Sequence, residues 1–94
     1  MSPQGPSFKQ DCLHFEVTAT VGDVIEVRYR GSSCSVLVTD ERNFERYLNG
    51  HQFEYSGGEF RRSPVSIAAP GYGRWHVLVK HPNGPEAIVK VTVI

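Results

Sequence analysis

Apolar and polar residues alternate along most of this chain with the two-residue period of half-buried strands, and the period breaks only once. Leu13, Phe15, Val17 and Ala19 share one face of the first run, with His14, Glu16, Thr18 and Thr20 on the other. Gly22 and Asp23 supply a turn, after which Ile25, Val27 and Tyr29 alternate with Glu26, Arg28 and Arg30. The two runs are expected to form a hairpin. A Gly31–Ser32–Ser33 turn leads into a third run, Cys34, Val36 and Val38 against Ser35, Leu37 and Thr39, apolar enough on both faces to lie in the middle of a sheet.

At Asp40 the period changes. Asp40 is a good helix N-cap, Glu41 puts an acid in the first turn, and Phe44, Tyr47 and Leu48 recur at helical spacing until Asn49 and Gly50 end the run. A two-turn helix is predicted. Gln52 to Ser56 reads as a short strand, with Gly57 and Gly58 in a loop after it. Val65 to Ala69 is the next strand, with Pro64 at its start or on a sheet edge because proline cannot donate to a ladder. Past Pro70, Gly71 and Gly73, Trp75, Val77 and Val79 alternate with His76, Leu78 and Lys80. A turn over His81, Pro82, Asn83, Gly84 and Pro85 precedes a last strand with Ala87, Val89, Val91 and Val93 inward.

Short strands at regular spacing, separated by glycine and proline turns, predict an all-β fold: a small antiparallel β-sandwich or jelly-roll-like domain, with a partly open barrel as the variant and one short helix after the third strand. The 94 residues accommodate one core, so 11–94 is read as a single domain behind an N-terminal tail, 1–10. With 39% hydrophobic residues the core needs no disulfide or metal staple.

Ten basic and ten acidic side chains cancel, which removes the field that draws proteins to nucleic acid or anionic lipid. No signal peptide or membrane-length apolar run is seen, and a cytoplasmic location is expected. Cys12 and Cys34 match neither a redox pair nor a zinc motif and are read as free thiols.

The residues that could carry chemistry cluster late in the chain. Tyr55, Gly57, Gly58, Arg61, Arg62 and Ser63 combine an aromatic, backbone N–H groups freed by glycine, and guanidinium forks suited to an anion. The competing structural reading makes the glycines a turn and pairs one arginine with Glu41, Glu45 or Glu59. Trp75 shares parity with Val77 and Val79 and is expected in the core with its indole N–H on a backbone carbonyl; the functional alternative is a pocket shared with Tyr47 and Tyr55. Of four histidines, His14, His51, His76 and His81, only His14 stands close to an acid on one strand face, Glu16, and no metal site or cofactor is expected. Gly31–Ser32–Ser33–Cys34–Ser35 lacks the second glycine of a nucleophile elbow, and Gly71–Tyr72–Gly73 is no dinucleotide fingerprint, so no catalytic residues are assigned.

Asn43, Phe44, Tyr47, Gly50, then Tyr55, Gly57, Gly58, then Arg62, Ser63, Pro64, Val65, and finally Pro70, Gly73, Trp75, His76 and Val77 together resemble the bacterial family catalogued as domain of unknown function 1883, over Leu13 to Ile94. The resemblance implies a small β-sandwich-like domain, stand-alone or attached to signalling modules of the Toll/interleukin-receptor type, and implies no activity. Family members are richer in basic residues after the helix, where this chain has Gln52, Phe53 and Glu54.

The leading expectation is therefore a non-catalytic protein-interaction module, with Asn43, Tyr47, Tyr55, Gly57, Gly58, Arg61, Arg62, Ser63, Trp75 and His76 as binding residues. A sensor of a small anionic ligand or nucleotide ranks second and an enzyme third. Unpaired edge strands would allow a homodimer.

Overall fold

The computed structural model describes residues 12–31, 33–80 and 89–94. The predicted tail, Ser32, the His81–Pro85 turn and Ala87 lie outside the described residues. In chain order the elements are β1 (Cys12–Ala19), β2 (Val24–Tyr29), β3 (Cys34–Thr39), α1 (Glu41–Leu48), β4 (Ser56–Phe60), β5 (Val65–Ala68), β6 (Gly73–Lys80) and β7 (Val89–Val93). They form two antiparallel sheets: sheet A in the order β1-β6-β3-β4 and sheet B in the order β5-β2-β7. The architecture is the predicted sandwich, not the barrel.

The periodicity of β1, β2, β3 and β6 places their inward residues correctly. Ile25, Val27 and Tyr29 from sheet B meet Val36, Val38, Val77 and Val79 from sheet A, with Phe15, Val17 and Trp75 packed against them. β3 lies inside sheet A as expected, and Pro64 precedes β5, an edge strand.

The expected β1–β2 hairpin does not form. β1 pairs with β6, whereas β2 pairs with β5 and β7, so the turn at Gly22–Asp23 carries the chain from one sheet to the other. That turn is closed by Asp23, whose N–H donates to the Thr20 carbonyl at 2.9 Å and whose carboxylate accepts from the Thr20 N–H at 3.0 Å. Both strands have one apolar face, and from opposite sheets each turns that face into the one shared core.

The second correction concerns 52–58. The strand begins at Ser56, not Gln52, and it runs through Gly57 and Gly58, which stand opposite Leu37 and Val36 of β3. The predicted glycine loop is thus a ladder segment.

The helix follows its sequence signals closely. Asp40 accepts the Asn43 backbone N–H at 2.8 Å as N-cap. At the other end Gly50, at φ +75°, lets its own N–H reach the Tyr47 carbonyl and the His51 N–H reach that of Arg46, closing the helix in a Schellman arrangement. α1 lies on the outer face of sheet A over β6 and β3. Two residues of polar-side parity on β6, His76 and Leu78, are buried, His76 beneath Phe44 of the helix. Among the described residues no helix is long and apolar enough to cross a membrane.

Candidate functional site

Two features stand out where α1 meets sheet A. The first is a cleft of about 220 Å³ lined by the end of β3 (Val38, Thr39), Asp40 and Asn43 of the helix start, the segment Glu54–Tyr55–Ser56, Pro70 and Trp75. Asn43 builds one wall: its side-chain N–H₂ donates to Asp40 Oδ1 at 2.9 Å while its Oδ1 accepts the Glu54 N–H at 2.8 Å, tying the helix cap to the chain entering β4. Trp75 is half-buried: it packs against the core with its indole N–H on the Gly71 carbonyl at 3.0 Å, as expected, and it also lines this cleft with Tyr55, as the alternative reading had it, though without Tyr47. Tyr55 is 52% exposed. Thr39 Oγ1, fully buried, has no hydrogen-bond partner among the described residues.

Behind Tyr55 runs a row of rings. Phe44, Tyr47, Phe53 and Tyr55 follow one another at centroid separations of 6.0, 5.5 and 5.6 Å. Such tilted and edge-on contacts add attraction beyond burial and hold the exposed end of the row in place. Beyond Phe53 lies a second, open concavity of about 540 Å³, lined by Arg46, Gly50, His51, Gln52, Phe53 and Glu54.

The second feature is a pair of histidines beneath the helix. The β1–β6 register sets Glu16 opposite His76, with His14 two residues away on the same face. His14 Nε2 lies 2.8 Å from His76 Nδ1, and His76 Nε2 lies 2.8 Å from Glu41 Oε1. Phe44 stacks on both imidazoles, at centroid distances of 4.0 Å to His76 and 4.5 Å to His14. Burial first, and the neighbouring His76 second, push the His14 pKa below its ordinary value of 6.5. Glu16 meets Arg74 at 3.8 Å in a loose, exposed pair of little energetic weight.

The structure divides the predicted binding residues. Asn43, Tyr55 and Trp75 share the cleft. Tyr47 and His76 are buried, Tyr47 in the ring row and His76 in the histidine pair, so neither offers a contact surface of its own. Gly57 and Gly58 belong to β4 and do not form an anion-holding turn. Arg61, Arg62 and Ser63 follow the far end of β4, since Ser56 pairs with Val38 beside the helix and Phe60 pairs with Cys34 at the opposite end. That places them about 13 Å or more along the strand from the cleft. Ser63 Oγ accepts the Tyr29 N–H at 2.9 Å, a fold contact joining the β4–β5 connection to the end of β2. Among the described residues neither Arg61 nor Arg62 pairs with a carboxylate, and Glu41 takes His76 instead.

Cys34 is buried, and burial pushes its thiol up to about 11, which leaves almost no thiolate nucleophile at neutral pH. Sequence reasoning missed the histidine pair because it joins two strands far apart in the chain; the outward parity of His14, Glu16 and His76 was the one available signal.

These features define a two-sheet β-sandwich with a helix laid on one outer face and a cleft at that helix's start. The model of the family described as domain of unknown function (DUF1883) matches residues 12–93, and the chain belongs to this family. Comparison with curated proteins and with solved structures finds no match.

Proposed function

We propose that this domain is a non-catalytic protein-interaction module that engages its partner at the helix end of the sandwich, through the cleft of Asn43, Tyr55 and Trp75 and the adjoining 50–55 segment. The observation that carries this reading is the exposed ring of Tyr55, backed by the row of Phe53, Tyr47 and Phe44, at the mouth of the cleft. Interface energy concentrates in anchored aromatic side chains beside small pockets, because a pre-ordered ring loses little entropy on binding.

Size favours a protein partner over a small ligand. Enclosed ligand sites commonly hold roughly 300–1,000 Å³, and the cleft, at about 220 Å³, is the size for one inserted side chain. The larger concavity is open and bounded mostly by one short stretch of chain, 50–54. Two shallow depressions flanking an aromatic ridge suit a broad contact better than an engulfed metabolite. The sensor reading also loses its expected loop, since the two glycines are spent in β4.

The test is affinity capture from a lysate of the encoding organism with the wild-type domain, Tyr55→Ala and Arg62→Ala, followed by titration of the captured protein. Both variants should melt close to the wild type, because both side chains are exposed. Loss of the anchor should weaken the complex by about 30-fold or more, whereas Arg62→Ala, at the far end, should bind as wild type. Retained binding by Tyr55→Ala, or equal loss in Arg62→Ala, overturns the placement. A nucleotide or anionic metabolite that raises the melting temperature of wild type but not of Tyr55→Ala overturns the choice of a protein partner. The link to signalling rests on the family resemblance and would be read from the captured partner's identity.

A further inference from the structure

We propose that His14, Glu16 and His76 form a binding site for one divalent first-row transition-metal ion of the zinc or nickel class, on the outer face of sheet A, with Glu41 orienting His76. The ligand atoms of His14, Glu16 and His76 all lie within 4.8 Å of one another. Two imidazoles and a carboxylate are a donor set that such ions favour, with the remaining positions left to water.

The metal-free geometry shows how the site is set up. With ring centroids 5.0 Å apart and the facing nitrogens at 2.8 Å, the two imidazoles point almost head-on at one another. One proton must lie between them, since two lone pairs would repel. Glu41 decides which nitrogen holds it. Its carboxylate accepts from His76 Nε2–H at 2.8 Å, so neutral His76 presents a lone pair at Nδ1 and His14 donates through Nε2–H. A carboxylate on the far nitrogen of a histidine is the arrangement that fixes the tautomer and raises the basicity of metal ligands.

Loading requires His14 to withdraw and turn aside, because a metal on the His76 Nδ1 lone pair would stand where the head-on His14 ring now lies. With metal–nitrogen bonds of about 2.1 Å, octahedral or tetrahedral angles separate the two nitrogens by about 3.0–3.4 Å. His76 is 2% exposed and held by Phe44 and Glu41, so it stays. His14 is exposed and can rotate outward while its proton moves to Nδ1. Glu16 needs to leave only the 3.8 Å contact with Arg74. This site lies beneath the helix and does not depend on the proposed interaction surface.

The experiment is titration calorimetry and thermal melting of tag-free protein with Zn²⁺, Ni²⁺, Co²⁺ and Mg²⁺, alongside His14→Ala, Glu16→Gln and Glu41→Gln. One zinc or nickel ion per chain should bind and raise the melting temperature, with no effect of Mg²⁺. His14→Ala should lose at least about 100-fold in affinity and Glu41→Gln about 10–100-fold, the range for outer-sphere partners. The Co²⁺ spectrum should lack the thiolate charge-transfer band. His14 and Glu16 are exposed, so the metal-free melts of their variants serve as the folding control. Unchanged affinity in both His14→Ala and Glu16→Gln, a thiolate band, or no saturable binding to the wild type overturns the site.

Discussion

Replacing Gly57 by alanine should destabilise this domain far more than the same change at its neighbour Gly58. Gly57 sits in β4 at φ +111°, where an added Cβ would collide with the Val36 carbonyl oxygen and come within 3.3 Å of Ile67 Cδ1 across the sandwich. The obstacle is backbone, so the collision cannot be relieved by a rotamer change. Either β4 moves away from β3 or the alanine leaves its native backbone angles. Positive φ costs an L-residue about 1–2 kcal/mol, and loosening two ladder hydrogen bonds costs about 1 kcal/mol each. The sum is about 3–4 kcal/mol, a large share of the roughly 5–14 kcal/mol that a domain of this length possesses. The melting temperature should fall by roughly 15–25 °C. Gly58, at φ +151°, has open space where its Cβ would stand, so Gly58→Ala carries only the backbone strain of about 1–2 kcal/mol. Urea unfolding of the two variants, compared at equal m-value, measures the difference. If Gly57→Ala falls within 1 kcal/mol of Gly58→Ala, about the cost of one ladder hydrogen bond, the close approach to β3 is not what holds a glycine there.

Two further outcomes follow from the electrostatics and the helix cap. Because His14 has a folded pKa below 6.5, the folded protein takes up fewer protons than the unfolded chain just below that pH. Stability from this group is therefore full above 6.5, falls as pH drops through 6.5 towards the lowered folded value, and then levels off; His14→Gln should flatten that part of a urea-midpoint profile, and an unchanged slope refutes the assignment. Asp40→Ala removes the acceptor of both Asn43 N–H groups and should cost about 1–2 kcal/mol in chemical unfolding, with a loss below about 0.3 kcal/mol counting against the cap.

Much of the local structure was written in residue order. Alternation marked the inward faces of β1, β2, β3 and β6, because burying one face of a pleated strand requires apolar residues at every second position. Asp40 and Gly50 bounded the helix, since a carboxylate cap and a positive-φ glycine satisfy backbone groups that the helix cannot satisfy itself. The parity of Trp75 and its need for a carbonyl partner were likewise visible beforehand.

Pairing and the outer face were decided only by the tertiary structure. Alternation reveals which side of a strand is apolar but not which strand lies beside it, since ladder hydrogen bonds join backbone groups common to all residues. The apparent β1–β2 hairpin was therefore a reasonable local reading and the wrong global one: β1 pairs with β6 instead. The same blindness made Gly57 and Gly58 look like a loop, when a close approach to Val36 is what calls for a residue without a side chain at Gly57. Sequence spacing also grouped Tyr55 with Arg61 and Arg62, which an extended strand then carries to the opposite end. His14 and His76 are 62 positions apart, and the sequence reading placed one beside Glu16 and the other among the binding residues without joining them; the antiparallel register, with α1 laid over it, brings their nitrogens to 2.8 Å. Short-range order thus set the elements, and long-range register set the chemistry, because register is fixed by how two apolar faces and one helix fit together.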